Sequence, residues 1–333
     1  MLNPTLEVES RSPAVSLVNT LADHAAASLV ISDSDIGMAR LCLIEALSHA
    51  FEALRDPQCA PLIGPLVPGA LMPGGARVPG TSLELDPPQA AFCNGLLLGR
   101  CSGHAADPVG GILAVADYQA RKAMMEGKTP PTVRELLAAI LKALQIQGIL
   151  AFEGGRQETG HATLRSTRIA TAAVAAAQLG GTQRQIITAL SHACGDADMS
   201  VDADDRYDIA RWTWITADAI NRAVRHACRA IAAGQSIYLT PPRLQVMDLA
   251  GKSLGAPGPA AGPRVSAGIP EPLLRLYRPS EMSPIMTRFQ TAVDRHFPAR
   301  HAERIKALFA KPERLDGLPV NELLAALVTN GAQ

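Results

Sequence analysis

Gly103-His104-Ala105-Ala106-Asp107 is a short polar turn between two apolar helical runs, in the stretch from Ala91 to Arg121. His104 can exchange a proton near neutral pH, which makes it a candidate acid/base residue if a partner stands beside it; alone it is a turn histidine. Asp107 precedes Pro108 and a long apolar run, the pattern of a helix N-cap with proline in the first turn. His161, in Thr159-Gly160-His161, stands ahead of a small-residue helix, where a structural role is expected. Six aspartates and one arginine occupy positions 196–208. Carboxylates at that density invite Ca²⁺ or Mg²⁺, but their spacing is not that of an EF-hand loop, so a solvated acidic loop is expected. Trp212 and Trp214 flank the next helix start and are expected to anchor packing.

Composition narrows the classes. Lys+Arg and Asp+Glu are 31 each, so the net charge is zero. That balance gives no electrostatic case for nucleic acid or an anionic membrane as partner. Cysteines at 42, 59, 93, 101, 194 and 228 include no CxxC spacing. They read as buried, reduced thiols of a cytoplasmic protein, with no metal and no cofactor expected. No uninterrupted apolar run is long enough for a transmembrane helix, and the first residues, MLNPTLEVESRSP, lack the apolar centre of a signal peptide. With 333 residues and only 4% aromatics, the core must be built from Ala, Leu, Ile and Val.

The elements that would position these residues are helical almost throughout. Periodicity predicts helices over 13–27, from Ser32-Asp33 to Leu54, and again after Asp86-Pro87-Pro88. Thr132-Val133-Arg134-Glu135 and Thr182-Gln183-Arg184-Gln185 have capping-box spacing. Between them, the alanine-rich run from Leu164 to Leu179 is expected in the middle of a bundle, since small side chains allow close approach. A further helix runs from Trp212 to Ala233, and three short ones fall near 281–296, 299–310 and 320–329. Thirteen of the residues between Pro57 and Pro88 are Pro or Gly. This reads as an ordered wrap that buries Leu62, Ile63, Leu66, Val67, Leu71 and Met72 over the helices. Residues 1–250 are expected as a helical core, 251–272 as a Gly/Pro-rich linker, and 273–333 as helices packing back on the core.

Several patches in order resemble the MmgE/PrpD family, in its dehydratase branch. They are Pro65-Leu66-Val67-Pro68-Gly69, Ala76-Arg77-Val78-Pro79-Gly80-Thr81, Gly110-Gly111-Ile112-Leu113-Ala114 and Ile146-Gln147-Gly148. The tail adds His296-Phe297-Pro298-Ala299-Arg300 and Leu318-Pro319-Val320-Asn321-Glu322. The resemblance implies a helical domain that carries the site and a smaller α/β lid. It also implies loss of water from a citrate-like tricarboxylate without a metal. Such a reaction needs a base beside a carboxylate, an acid for the departing hydroxyl, and cations to hold the carboxylates. By that resemblance His104 and Asp107 match family site positions, Arg211 matches a family arginine able to bind a carboxylate, and His161 lies close to a family histidine but out of register.

Four departures stand out. The family's aspartate-rich segment is absent between Leu98 and Gly103. Ala162 and Thr163 occupy the place of an Asp-His pair. The family's basic loop is replaced by the six aspartates, with Trp212 at a lysine position. The lid is missing after Leu249. Six carboxylates repel a tricarboxylate, and an unpaired buried anion costs several kcal/mol. The expected fold class is therefore all-α, an MmgE/PrpD-like helical domain without the lid. The expected function is that of a reduced or inactive lyase relative with a small polycarboxylate as candidate ligand. The rival is an active lyase or isomerase on a smaller, less anionic hydroxy acid, using His104 with Arg211. An apolar patch where the lid once packed would make a homodimer interface.

Overall fold

The computed structural model describes residues 13–28, 31–98, 108–153, 160–196, 209–234 and 282–329. The linker 251–272 lies outside them, as do His104, Asp107 and all of the acidic segment after Asp196. The protein is all-α. In chain order the helices are α1 (Pro13–Ala26), α2 (Asp33–Ala53), α3 (Pro87–Leu98), α4 (Val109–Met125), α5 (Val133–Glu153), α6 (Gly160–Gln178), α7 (Gln183–Gly195), α8 (Ile209–Ala233), α9 (Met282–His296), α10 (Ala299–Phe309), α11 (Pro312–Asp316) and α12 (Val320–Ala326). Among the described residues the one sheet is an antiparallel pair, β1 (Ala76–Arg77) and β2 (Glu84–Leu85), with Ala76 opposite Leu85.

The local signals act as expected. Ser32 accepts the amide of Asp35 and caps α2. Thr132 and Glu135 exchange bonds at the start of α5, and Thr182 and Gln185 form the full capping box of α7. α6 sits in the middle, against α8, α5, α7, α4 and α1, with Ala170, Ala172, Ala173, Ala175 and Ala176 fully buried. It begins at Gly160, a turn earlier than its alanine run suggests, and α8 begins at Ile209. α11 is a short extra helix, opened by Pro312 in its first turn.

The C-terminal helices are fastened to the core at many points. Aromatics are scarce, yet four of the six phenylalanines form one seam between α2 and α9–α10. Phe297 stands edge-on to Phe51 at 5.1 Å, and Phe289 meets Phe309 at 4.6 Å. Edge-to-face packing of this kind adds to plain burial. Val133 N–H donates to Leu318 O at 2.8 Å, and Val320 N–H to Pro131 O at 2.9 Å, which ties α12 to α5. Arg40 forks onto Asp316 at 2.8–3.1 Å.

Beneath the wrap lies a buried ion pair. Asp117, on α4, is fully buried and takes three bonds from Arg77 of β1: two from the guanidinium at 2.6 and 3.1 Å and one from the amide at 2.8 Å. Burial pushes the Asp117 carboxyl above its ordinary value while Arg77 pulls against it. Arg77 also donates to Asn321 O at 2.6 Å, so one side chain joins the wrap, α4 and α12.

The outer side of the wrap differs from expectation. Leu66 is 85% exposed and Val67 61%. Leu62, Leu71 and Met72 also face solvent, and only Ile63 is half-buried. The segment runs over the helices as a single layer, so its apolar side chains cannot all point inward.

Removing one partner of the buried pair leaves an uncompensated charge. Arg77→Met is expected to cost about 3–5 kcal/mol, and the double change Arg77→Met with Asp117→Leu to recover most of it. Urea denaturation measures both; a loss below about 1 kcal/mol for the single change would show the pair to be dispensable.

Candidate functional site

Two glycines set how closely the helices of the site approach. A Cβ on Gly95 of α3 would lie 2.8 Å from Ala217 Cα of α8. One on Gly111 of α4 would meet Thr171 of α6 at 2.6 Å and Ile220 of α8 at 2.9 Å. No larger residue fits at either crossing without moving a helix.

These contacts also fix direction. Leu164 of α6 shares a cluster with Trp212, Ile215 and Ala219 of α8, Ala172 meets Ala223, and Gly181, just past α6, lies under Ile231. Gln119 of α4 donates to Gln178 O of α6 at 2.9 Å. So α4, α6 and α8 run the same way, and their N-termini face one end. At 1.5 Å per residue, the first turns of α6 and α8 overhang the start of α4 by roughly 14 Å. A helix N-terminus aims its first amides outward and carries partial positive charge that fades within a turn, so α6 and α8, which start level with each other, suit an anion and the recessed start of α4 does not join them.

His161 is the second residue of α6, and Arg211 is exposed in the first turn of α8, so the fold carries both to this end. Pro108 is itself the N-cap of α4, without a side-chain cap, one residue later than the Asp107 cap expected from the sequence; it marks where the His104–Asp107 turn enters, although both of those side chains lie outside the described residues. Trp212 is 9% exposed in its cluster. Trp214 is 46% exposed and stands edge-on to Phe92 at 5.0 Å, so only the first of the two tryptophans is a buried anchor.

A second group of titratable side chains lies where α7 meets α6 and α8; of its members only Asp196 figures in the sequence reading, as the first residue of a loop expected to be solvated, and the structure instead pairs it with His226. His226 Nε2 is 2.9 Å from Asp196 Oδ2, and the ring of His192 stacks on that of His226 at 5.7 Å and 14°. Arg168, 4% exposed, donates to Ala193 O at 2.8 Å and to Asp196 O at 3.0 Å, capping the C-terminus of α7. Burial opposes the charge on Asp196, yet the hydrogen bond and charge of His226, with Arg168 and Arg222, hold its carboxyl below the ordinary value. Burial, with His226 and Arg229, holds His192 below the ordinary histidine value. The knot joins three helices. Its residues come from separate elements, and only the tertiary contact reveals them.

The cavity at the junction of α2, α3 and α4, lined by Leu43, Leu47, Asn94, Leu97, Val109 and Leu113 among others, has a volume of about 10 Å³. That is room for one water and not for a tricarboxylate. Asn94 donates to Gly110 O at 3.1 Å, while its Oδ1 has no partner among the described residues. Burial pushes the thiols of Cys93 and Cys228 up to about 11, which keeps them protonated and poor nucleophiles. Among the described residues no helix is long and apolar enough to cross a membrane.

Comparison with known proteins gives the architecture a family. The MmgE/PrpD N-terminal domain matches residues 19–236. The 2-methylcitrate dehydratase of Escherichia coli (strain K12) is 37% identical over 227 residues, covering 65% of this chain and 46% of the relative. That of Cupriavidus necator is 40% identical over 200 residues, 57% and 41% of the two chains. A 2-methylcitrate dehydratase-like protein of Aspergillus oryzae is 29% identical over 251 residues, 70% and 50%. The chain spans about half the length of the curated relatives it matches.

His24, His49, His192 and His296 all sit below the ordinary histidine value, with burial as the leading cause. The unfolded chain accepts their protons near pH 6.5 and the folded chain resists them, so stability is full above that pH and falls as the solution is acidified below it. Urea midpoints at about pH 7.5 and about pH 5.5 should therefore differ, and His49→Gln and His192→Gln should each shrink the difference. Unchanged pH sensitivity in both variants would contradict burial as the cause.

Proposed function

The chain belongs to the MmgE/PrpD family, and on that premise we propose that it is a relative of the 2-methylcitrate dehydratases whose hydro-lyase activity is reduced or lost. The observation that carries this reading is the fate of Trp212. The position that the family resemblance gives to a lysine holds an indole packed between α6 and α8, against Leu164, Ile215 and Ala219. A buried indole offers a tricarboxylate neither charge nor an open face. In the sequence, six aspartates between 196 and 208 precede it where the family resemblance gives a basic loop, a charge balance that opposes a polyanion further. Loss of one cationic contact to a developing carbanion slows such a reaction by orders of magnitude, because electrostatic stabilisation contributes most to lowering its barrier. In this reading the helical domain persists as a binding or assembly unit.

One observation favours a second reading. Arg211 keeps a guanidinium at the exposed start of α8. With His104 as acid/base, that is enough for a lyase or isomerase acting on a smaller hydroxy acid with one carboxylate to hold.

The ultraviolet absorbance of a newly formed carboxylate-conjugated alkene separates the two. Purified protein is mixed with 2-methylcitrate, citrate and smaller hydroxy acids, beside His104→Ala and Arg211→Ala. No signal from folded protein across the whole panel is expected. Robust turnover of the tricarboxylates overturns the proposal. Turnover confined to a smaller acid, and lost in both variants, establishes the second reading in its place.

A further inference from the structure

His192 of α7 and His226 of α8 form a stacked imidazole pair, with ring centroids 5.7 Å apart and planes 14° apart. The stack is enclosed. The side chain of His226 is 12% exposed and that of Asp196 23%. Nε2 of His192 is shut off from water and has no hydrogen-bond partner among the described residues. A neutral imidazole leaves that nitrogen as an unused acceptor, at modest cost. An imidazolium there holds a proton with nothing to receive it, at larger cost.

The charges around the pair come from three helices. On α8, Arg222 stands one turn before His226 and Arg229 one turn after it, with exposed Arg225 between them. On α6, Arg168 is buried and holds Ala193 O and Asp196 O, and Arg165 lies one turn nearer the helix start. At the end of α7, Asp196 supplies a carboxylate, and His226 already holds it at 2.9 Å. Asp218 is paired with Arg222 at 2.7 Å. α1 also packs on α7, but its Asp23 meets Gln183 in the first turn, roughly 14 Å along the helix from His192, and its His24 bonds to Gln145 of α5.

Two protons on this stack are therefore unequal. One on His226 meets the Asp196 carboxylate. A second, on His192, meets the first at stacking distance, with arginines beyond it and no free carboxylate. Burial first, then His226 and Arg229, hold His192 below the ordinary histidine value, and Asp196 pulls only partly against them. We propose that the stack is an acid-operated latch: in mildly acidic solution the second proton drives the two imidazoles apart and releases the last turn of α7 from α8. The closed stack resists a proton that the opened, hydrated ring accepts near pH 6.5, so closure is complete above that pH and is lost as the pH falls below it. Asp196 N–H donates to His192 O at 3.1 Å, which makes the last turn of α7 one unit with the stack. The chain leaves α7 at Asp196 on its way to Arg211, so the latch fixes one end of that connection. The inference rests on these helices and does not depend on whether the protein is catalytic.

Hydrogen–deuterium exchange of the full chain at about pH 7.5 and about pH 5.5, read by mass spectrometry and corrected for the chemical exchange rate, tests it. On acidification the amides of residues 190–196 should lose at least tenfold more protection than those at the buried centre of α6. His192→Gln and His192→Phe each remove the titrating ring, the second keeping an aromatic in the stack, and both should abolish this excess. His49→Gln, on α2, should leave it unchanged. Far-ultraviolet dichroism checks that each variant is folded. Loss of protection that is equal along the chain overturns the proposal. So does an excess that both His192 variants retain, since a purely structural imidazole would lower protection at both pH values and leave the pH dependence in place.

Discussion

Gly111 meets three helices at once: its own, α6 through Thr171, and α8 through Ile220 and Val224. Most of the architecture follows from what that contact forbids. A side chain there would push α4 off the alanine-lined surface of α6, where five alanines lie fully buried. Gly95 does the same for α3 against Ala217. Helices with such smooth contacting surfaces pack close together, and dispersion over many short contacts replaces the few large aromatic contacts that this composition lacks. The close approach also holds α4, α6 and α8 parallel, so three connections far apart in the chain arrive at one end. Whatever the protein binds there depends on two hydrogen atoms in place of side chains.

The second constraint is how the C-terminal helices return. Phe51 sits under Phe289, His296 and Phe297, and Arg77 spans Asp117 and Asn321. The apolar seam supplies most of the burial energy, and the ion pair supplies register, since a buried fork-shaped pair tolerates little displacement before it loses bonds. Arg40 on Asp316 and the strand-like pairing of Thr132 with Pro319 repeat the arrangement further along. The helices of 282–329 are in this sense part of the core that 13–234 begin, although they stand far along the chain.

The candidate site was legible in part. Arg211 and His161 fall at neighbouring helix starts, because helix starts can be read from caps and apolar periodicity, and three such starts preceded the stretches of interest. The pairing of His192 with His226 and Asp196 was not legible. The stack depends on how α7 and α8 lie against each other, and no local pattern encodes that. Trp212 and Trp214 show the limit most simply. They look alike in the sequence and are two residues apart, but two positions on an α-helix point about 200° apart, so one faces α6 and the other faces water. The wrap failed for a related reason. Its apolar composition pointed to burial of all six side chains, but composition cannot say which residues of a single layer point outward, and most of these do.

By itself the sequence determined all the helices but the short α11, and most of their boundaries to within a turn, through 3.6-residue apolar spacing, Ser and Thr caps and Pro or Gly stops, all of which act within a few residues. It also determined that the core would be aliphatic and small, and its ordered motifs pointed to the family. Tertiary structure decided the rest: which glycines lie at crossings, that a buried Arg77–Asp117 pair joins three elements, which tryptophan is interior, and which apolar side chains of residues 61–76 point outward. Those outcomes depend on contacts between residues tens to hundreds of positions apart. Such contacts are selected by shape and desolvation once the helices exist, and they leave no periodic trace along the chain.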